Sequence, residues 1–384
     1  MIRVDPGDYI GIIGGGQLGR MMAYSAYQLG YRIAVLDPDP DAPLAQIAHR
    51  KITASYDDPS AVQELAKLAS VLTYEFENVS VPELELISQE RAIFPNVRLL
   101  SISQNRIHEK NMCRRLGLKT ANFLWAETVD QRLSLLDFRH YPAIVKTVRG
   151  GYDGKGQRRV ENREELEEAL KMWPNMPLIV EEFVPYDVEI SVVLTRDQQK
   201  EIVDFGVMEN YHRHGILDVS ISPARVSEYV GERAISYARQ IASDLDLVGT
   251  MTVEFFVVGN EVLVNELAPR PHNSGHLTIE AFDYSQFDQH IRAIAGMPLG
   301  RPCRGNPAAT ANLLGDLWQQ GNLNWQKALD TPHTTLHLYG KGEARLGRKM
   351  GHLTALADTP EAAARRVRQA REALTSKKGV NSFY

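Results

Sequence analysis

The chain of 384 residues is 43% hydrophobic and 24% charged, the balance of a folded protein long enough for two or three domains. A net charge of −5 argues against nonspecific nucleic-acid binding, and two cysteines, Cys113 and Cys303, give neither a metal pattern nor a disulfide framework. No apolar run approaches a membrane span, and the N-terminus lacks the basic flank, apolar core and cleavage site of a secretory signal, so a cytoplasmic protein is expected.

A first apolar strand, Tyr9-Ile10-Gly11-Ile12-Ile13, enters Gly14-Gly15-Gly16-Gln17-Leu18-Gly19. A helix is predicted from about Arg20 to Leu29, then a second strand from Arg32 to Leu36 that ends at Asp37. A glycine turn opening a helix, with an acidic residue about 20 positions on, is compatible with a dinucleotide-binding unit. It is equally suited to any phosphate, because a helix N-terminus offers free N–H groups and a positive dipole end whatever molecule carries the anion. A further strand, Ser70 to Thr73, delivers Tyr74-Glu75-Phe76-Glu77-Asn78-Val79 to its carboxyl end, where open α/β sheets place ligands.

Ser103 to Gly117 reads as one helix, with Arg106 and Lys110 a turn apart on one face. Residues 118–180 form a small α/β unit with an exposed, Glu-rich helix at Arg163–Met172. Within it, an apolar strand carrying Lys146 runs into a turn holding Gly150, Gly151, Gly154, Lys155 and Gly156. Such a turn is either a flexible hairpin or a phosphate loop, since glycines let backbone N–H groups approach phosphate oxygens and the two lysines add positive charge. The strand Leu178-Ile179-Val180 leads into Glu181-Glu182-Phe183-Val184, with Glu189 on the next strand. The polar loop 209–215 holds His212 and His214, but no third ligand of matching type stands near enough to suggest zinc. An amphipathic helix is predicted over 231–245.

Residues 250–268 read as a hairpin around Gly259-Asn260, with one carboxylate in each apolar arm, Glu254 and Glu266. Buried carboxylates require a cation, and two oxygen ligands beside triphosphate oxygens are what Mg²⁺ commonly takes. A simple two-residue turn would put the two on opposite faces, because side chains alternate along a strand. A single metal cluster therefore predicts a bulge or an odd-length loop, for example a three-residue loop 258–260. Beyond residue 300, strands at 310–315 and 335–339 are followed by Gly340-Lys341-Gly342 and a basic run containing Arg348, then by a surface helix from about Pro360 to Leu374.

Three segments, Gly-Gly-Tyr-Asp-Gly-Lys-Gly-Gln (150–157), Tyr-Glu-Phe-Glu-Asn-Val (74–79) and Asn-Glu-Leu-Ala-Pro-Arg-Pro-His-Asn-Ser-Gly-His (265–276), carry a resemblance that runs from Gly11 to about Leu356. The sequence resembles the ATP-grasp superfamily and, within it, the N5-carboxyaminoimidazole ribonucleotide synthetases of purine biosynthesis. The resemblance implies an α/β ATP-grasp fold: a Rossmann-like pre-ATP-grasp domain at 1–98, an ATP-grasp domain at 99–300 with a lid at about 118–185, and a small β-rich C-terminal domain at 301–384. It implies a homodimeric ATP-dependent ligase that uses ATP, bicarbonate and Mg²⁺, one or two ions with Mn²⁺ as a substitute, to carboxylate 5-aminoimidazole ribonucleotide through carboxyphosphate.

The same resemblance supplies residue roles. Nucleotide contacts would come from Arg106, Lys146, the loop Gly151-Tyr152-Asp153-Gly154-Lys155-Gly156-Gln157, Glu181, Glu182, Phe183, Val184, Glu189, His212, Asn265 and Glu266. The metal would sit on Glu254 and Glu266. The ribonucleotide would meet Gly16, Gln17, Leu18, Glu75, His272, Asn273 and Ser274, with its 5′-phosphate on Lys341 and Arg348. Arg270 is placed to hold carboxyphosphate bidentately, and Asp153, beside Tyr152, to orient or deprotonate the amine. Many ATP-grasp relatives carry Asn where this chain has Ala268, which bears on the second Mg²⁺. Two other readings stay in view: a formate-dependent glycinamide ribonucleotide transformylase with a nearly identical ATP site, and an NAD-dependent oxidoreductase resting on the first glycine turn and Asp37.

Overall fold

A computed structural model describes residues 2–150 and 156–375. The N-terminal region is a parallel sheet of Tyr9–Ile13 (β1), Arg32–Leu36 (β2), Arg50–Ile52 (β3) and Val71–Tyr74 (β4) in the order β3-β2-β1-β4. Ile10, Ile12, Ile33 and Val71 are fully buried, as expected of parallel strands covered on both faces.

The helix Gln17–Gln28 starts at the glycine turn rather than at Arg20, and Gly16 contributes no side-chain cap. The cap comes from outside: Glu75, just beyond β4, accepts from the Gly16 amide and, at 2.9 Å, from the Gly19 amide. A carboxylate at this end also meets the positive end of the helix dipole. Gly14 sits at φ 98°, and a Cβ there would lie 2.5 Å from the Glu75 side chain, so only glycine fits.

Ser103 to Gly117 is not one helix. Val97–Ser103 ends at Gln104, and Arg106–Arg115 begins anew because the Asn105 side chain caps it, accepting from the Ile107 and His108 amides at 3.0 and 3.2 Å. The helix expected at 231–245 starts earlier, as Glu228–Asp244, capped by Ser227.

A four-stranded antiparallel sheet follows, built from Phe123–Ala126 (β5), Ala143–Thr147 (β6), Gln157–Val160 (β7) and Leu178–Glu182 (β8) in the order β5-β8-β6-β7. Leu135, Phe138, Leu166 and Ala169 pack on Val145 and Val180 to give this unit its own core.

The largest sheet has eight strands: Val188–Arg196 (β9), Ile202–Arg213 (β10), Ile216–Ser222 (β11), Gly249–Val258 (β12), Glu261–Ala268 (β13), Ala308–Leu314 (β14), Thr334–Leu338 (β15) and Lys349–Leu356 (β16). Their order is β13-β12-β9-β10-β11-β14-β16-β15. The C-terminal strands thus continue the central sheet, with Val219 opposite Ala311 and Ala311 opposite Leu353. The helix Pro360–Ala373 covers them through Ala363, Val367 and Ala370. No helix among the described residues is long and apolar enough to cross a membrane.

Candidate functional site

A cavity of about 510 Å³ opens between the four-stranded sheet and the large one. Its floor includes the β12-β13 hairpin, whose register resolves the placement of the two carboxylates. The turn is the simple two-residue kind, with Val258 opposite Glu261, so the three-residue loop offered as an example does not form. The register shifts further in: Phe255 faces Val264 and Glu254 faces Glu266, leaving Asn265 as the extra residue of a bulge. Glu254 and Glu266 therefore stand directly opposite on one face, as a shared cation requires. The Lys110 ammonium donates to the Asn265 carbonyl at 3.2 Å and pins the bulge.

A like charge facing a carboxylate raises its affinity for a proton. Burial, then the facing Glu266, pushes the Glu254 carboxyl up from its usual range. A divalent cation between them would reverse that pressure, and the oxygen donors match hard-cation chemistry. Among the described residues no group of three or more His, Cys, Asp or Glu is arranged for a metal, so the remaining ligands would be phosphate oxygens and water.

The opposite wall is cationic. Lys146, on β6, donates to Glu181 at 2.9 Å, and Lys110 lies 3.5 Å from the same carboxylate oxygen. Burial would raise the Glu181 carboxyl, but Lys110 and Lys146 together hold it down at about 2. Lys146 is lowered in turn by burial, aided by Arg106 and Lys110 and opposed by Glu181. Arg106 reaches Glu266 at 3.8 Å, linking the cationic wall to the carboxylate pair.

Gln157, Glu182, Phe183 and Val184 line the same cavity. The Glu182 and Phe183 amides donate to the Asn122 and Pro142 carbonyls at 2.8 Å each, so they are not the donors expected for a bound base. Glu189 and His212 are hydrogen-bonded to each other. Burial opposes a charge on His212, yet the Glu189 hydrogen bond and the charges of Glu254, Glu189 and Glu266 raise its pKa. Tyr186 stacks on Phe256 with ring centroids 4.8 Å apart, forming a flat apolar wall nearby.

Arg270 forms an ion pair with Glu77 and also lines the cavity. His272 Nε2 lies 3.1 Å from Glu254, and its imidazole is kept neutral by burial, reinforced by Arg270 and Lys349. Three buried polar atoms on lining residues, Glu181 Oε1, Arg270 Nε and Asn273 Oδ1, have no hydrogen-bond partner among the described residues. Such atoms in a cavity wall are suited to polar groups of a ligand. Ser274 does not line the cavity: it is fully buried, and its hydroxyl is enclosed by Ser191 and His272 at 2.9 Å each.

The glycine turn at 14–19 gathers a second group. Asp37 accepts from the Gly15 amide at 2.6 Å, the Tyr56 hydroxyl at 2.7 Å and the Asp39 amide at 2.8 Å. Three donors reach its two oxygens and the side chain is buried, so Asp37 serves to hold the turn and the oxidoreductase reading loses support from its acidic residue. Glu75 is raised by burial, against the Gly19 and Gly16 amides and the charge of Lys341. Lys341 thus faces the turn from the C-terminal region, where Gln46 also bonds the Gly340 carbonyl at 2.8 Å. Leu18 is buried apolar core, while Gly16 and Gln17 are partly exposed. Arg348 donates to the Glu343 carbonyl at 2.8 Å and is not part of the large cavity, whereas its neighbour Lys349 is.

Glu109, Lys110, Tyr186 and Lys349 were not among the expected site residues. The signal for Lys110 was its helical spacing from Arg106, and for Lys349 its adjacency to Arg348. Gly151, Tyr152, Asp153, Gly154 and Lys155 lie outside the described residues.

Three family models match in succession: the ribonucleotide synthetase preATP-grasp domain at 8–104, the ATP-grasp domain at 111–287, and the phosphoribosylaminoimidazole carboxylase C-terminal domain at 308–366. The chain is 42% identical over 350 residues to the N5-carboxyaminoimidazole ribonucleotide synthase of Bacillus subtilis (strain 168), covering 91% of each protein. It superposes with TM-score 0.90 and 43% identity on an N5-carboxyaminoimidazole ribonucleotide synthetase crystallised with ADP, over 97% of this chain and 98% of that one. An Aspergillus clavatus N5-carboxyaminoimidazole synthase in complex with ADP and 5-aminoimidazole ribonucleotide matches with TM-score 0.87 and 30% identity, over 96% of this chain and 99% of that one.

Proposed function

Because the chain belongs to the N5-carboxyaminoimidazole ribonucleotide synthases, ATP-grasp ligases that carboxylate 5-aminoimidazole ribonucleotide with ATP and bicarbonate in purine biosynthesis, we propose how its residues divide that reaction. The observation that carries the assignment is the bulge at Asn265, which turns Glu254 and Glu266 onto one face opposite Lys146 and Arg106.

ATP occupies the large cavity with its base along Glu181–Val184. The Val184 amide is the donor for the adenine edge, because those of Glu182 and Phe183 are engaged. Glu189, held by His212, is the acceptor for ribose hydroxyls. Lys146 and Arg106 neutralise the phosphates, and Glu254 and Glu266 hold Mg²⁺, with Ala268 giving no third oxygen ligand. When bound, that ion neutralises charge on the transferring phosphoryl group.

A bicarbonate oxygen attacks the γ-phosphorus and ADP leaves, giving carboxyphosphate. Arg270, tethered by Glu77, is oriented to hold that planar oxyanion. The exocyclic amine then forms the C–N bond, phosphate departs, and the amine proton passes to a base, for which Asp153 beside Tyr152 is our candidate. The ribonucleotide lies toward Glu75, His272 and Asn273, with its 5′-phosphate near Lys341 and Arg348.

We assign the domains to 1–98, 99–300 and 301–384, and the working form to a cytoplasmic homodimer, as the family resemblance supports. Light scattering on the purified protein tests the dimer. Phosphate release with ATP, Mg²⁺ and 5-aminoimidazole ribonucleotide tests the chemistry: bicarbonate should drive turnover and formate should not. Turnover driven by formate once glycinamide ribonucleotide replaces 5-aminoimidazole ribonucleotide would reassign the chain to the transformylase reaction.

A further inference from the structure

Behind His272 and Glu254 runs a line of buried polar side chains, Ser220, Asn210, Ser191 and Ser274, that the reaction above does not use. Ser220 Oγ donates to Asn210 Oδ1 at 2.9 Å, and Asn210 Nδ2 donates to Ser191 Oγ at 2.9 Å. Ser191 Oγ donates to Ser274 Oγ at 2.9 Å, Ser274 Oγ lies 2.9 Å from His272 Nδ1, and His272 Nε2 lies 3.1 Å from Glu254 Oε1. Ser191 and Ser274 have no exposed surface, and Ser220 and Asn210 are 1% and 4% exposed. The residues come from β9, β10, β11 and the turn after β13, so the line crosses the sheet rather than following one strand.

One backbone amide fixes its direction. The Ser274 N–H, which can only donate, points at His272 Nδ1 at 3.3 Å. A ring nitrogen that accepts carries no proton, so the neutral imidazole must carry its hydrogen on Nε2, the atom facing Glu254. The Ser274 hydroxyl then donates to Nδ1 as well, its oxygen accepts from Ser191, and the order of donors back to Ser220 follows. Every link donates toward the carboxylate.

We propose that Asn210, Ser191 and Ser274 are positioning residues for the cation-binding carboxylate, acting through His272. They hold the imidazole as the Nε2–H tautomer at a fixed angle, and that N–H holds one Glu254 oxygen so that the other stays directed at the cation shared with Glu266. Outer partners of this kind commonly change metal affinity by about 10–100-fold. The inference rests on the reading of Glu254 as a cation ligand.

Mn²⁺ binding to the full-length protein in the presence of ADP, followed by electron paramagnetic resonance, tests it on Glu254→Gln, Ser274→Ala, Ser191→Ala and Thr195→Val. Thr195 is the control: it lies on the same strand as Ser191, is equally buried, and shares its hydroxyl with Thr250 at 2.7 Å, away from Glu254. Ser274→Ala should bind Mn²⁺ about 10-fold more weakly, Ser191→Ala should weaken it by a smaller factor, and Thr195→Val should match wild type even where its melting temperature falls. If Glu254→Gln weakens Mn²⁺ while both serine variants match wild type at an unchanged melting temperature, the proposal is overturned and the metal assignment survives. If Glu254→Gln itself leaves Mn²⁺ affinity unchanged, the metal assignment falls and this inference with it. Should Ser274→Ala fail to fold, the comparison of Ser191→Ala with Thr195→Val decides: weaker Mn²⁺ binding in the serine variant alone supports the proposal, and equal binding in the two overturns it.

Discussion

Glu181, buried, and Glu254, largely buried, are carboxylates on strands that border one cavity, yet their surroundings are opposite. Glu181 is enclosed by Lys110 and Lys146, which hold it ionised against the cost of burial. Glu254 faces another carboxylate and is pushed toward protonation. The first is balanced within the protein, and its role is to fix the position of two lysines. The second meets like charge that His212 and Lys349 oppose without overcoming, a state that suits a carboxylate to a cation arriving with the substrate. Burial alone therefore does not mark a ligand. The sign of the neighbouring charges does.

The strongest test of this contrast is to neutralise Glu254. Glu254→Gln should lower kcat by roughly a thousand-fold, since a metal clamp on a transferring phosphoryl group contributes several kcal/mol. Steady-state ADP formation at saturating substrates measures it, and near-normal turnover would remove Glu254 from the metal site. Next comes Lys146→Met. It should raise the KM for ATP about 10- to 100-fold through loss of a charge-assisted contact of roughly 1.5–3 kcal/mol, with the KM for the ribonucleotide nearly unchanged. The reverse pattern would place Lys146 on the other substrate.

Lys341→Ala and Arg348→Ala should show the mirror image, raising the ribonucleotide KM by about 10-fold and sparing ATP. Because Lys349 lines the large cavity and Arg348 does not, a wild-type KM in Arg348→Ala alone would move the phosphate contact off that residue.

The smallest effect concerns Glu109, a carboxyl raised to about 8 by burial, with Glu266 adding to the shift and Lys110 opposing it. The folded state holds a proton there that the unfolded chain releases near pH 4.5. Stability from this group is therefore complete below about 4.5 and lost as pH rises through about 8. Glu109→Gln keeps an acceptor for the Leu267 amide, so its melting temperature should fall less than that of wild type between about pH 5 and about 8.5. Parallel curves would mean that Glu109 is already ionised.

The glycine turn, the strand bearing Lys146 and the two hairpin carboxylates were legible in the sequence because each depends on local chemistry: turn residues, alternation and charge among apolar neighbours. Even the bulge could be anticipated, since a shared cation and a period of two are incompatible with the simple turn. Its place at Asn265 could not, because a lysine from a helix more than a hundred residues away holds it. The break at Asn105 was missed because the spacing of Arg106 and Lys110 reads as one continuous helix, whereas the Asn105 side chain starts a new one. Glu109 and Lys349 were hidden for another reason. In the sequence each is one more charge on a helix or in a basic run, and only packing shows which of them is turned inward.

The continuity of the eight-stranded sheet has a consequence for synthesis. Strand Ile216–Ser222 pairs on one side with Ile202–Arg213, made just before it, and on the other with Ala308–Leu314, made much later. While the ribosome translates the stretch between them, the nascent chain presents that strand as an open edge, already apolar through Leu217, Val219 and Ile221. An open edge of this composition readily recruits the wrong strand from another chain. The final segment is thus the seal that ends this exposure, and a nonsense mutation before Ala308 should yield inclusion bodies rather than a shorter enzyme.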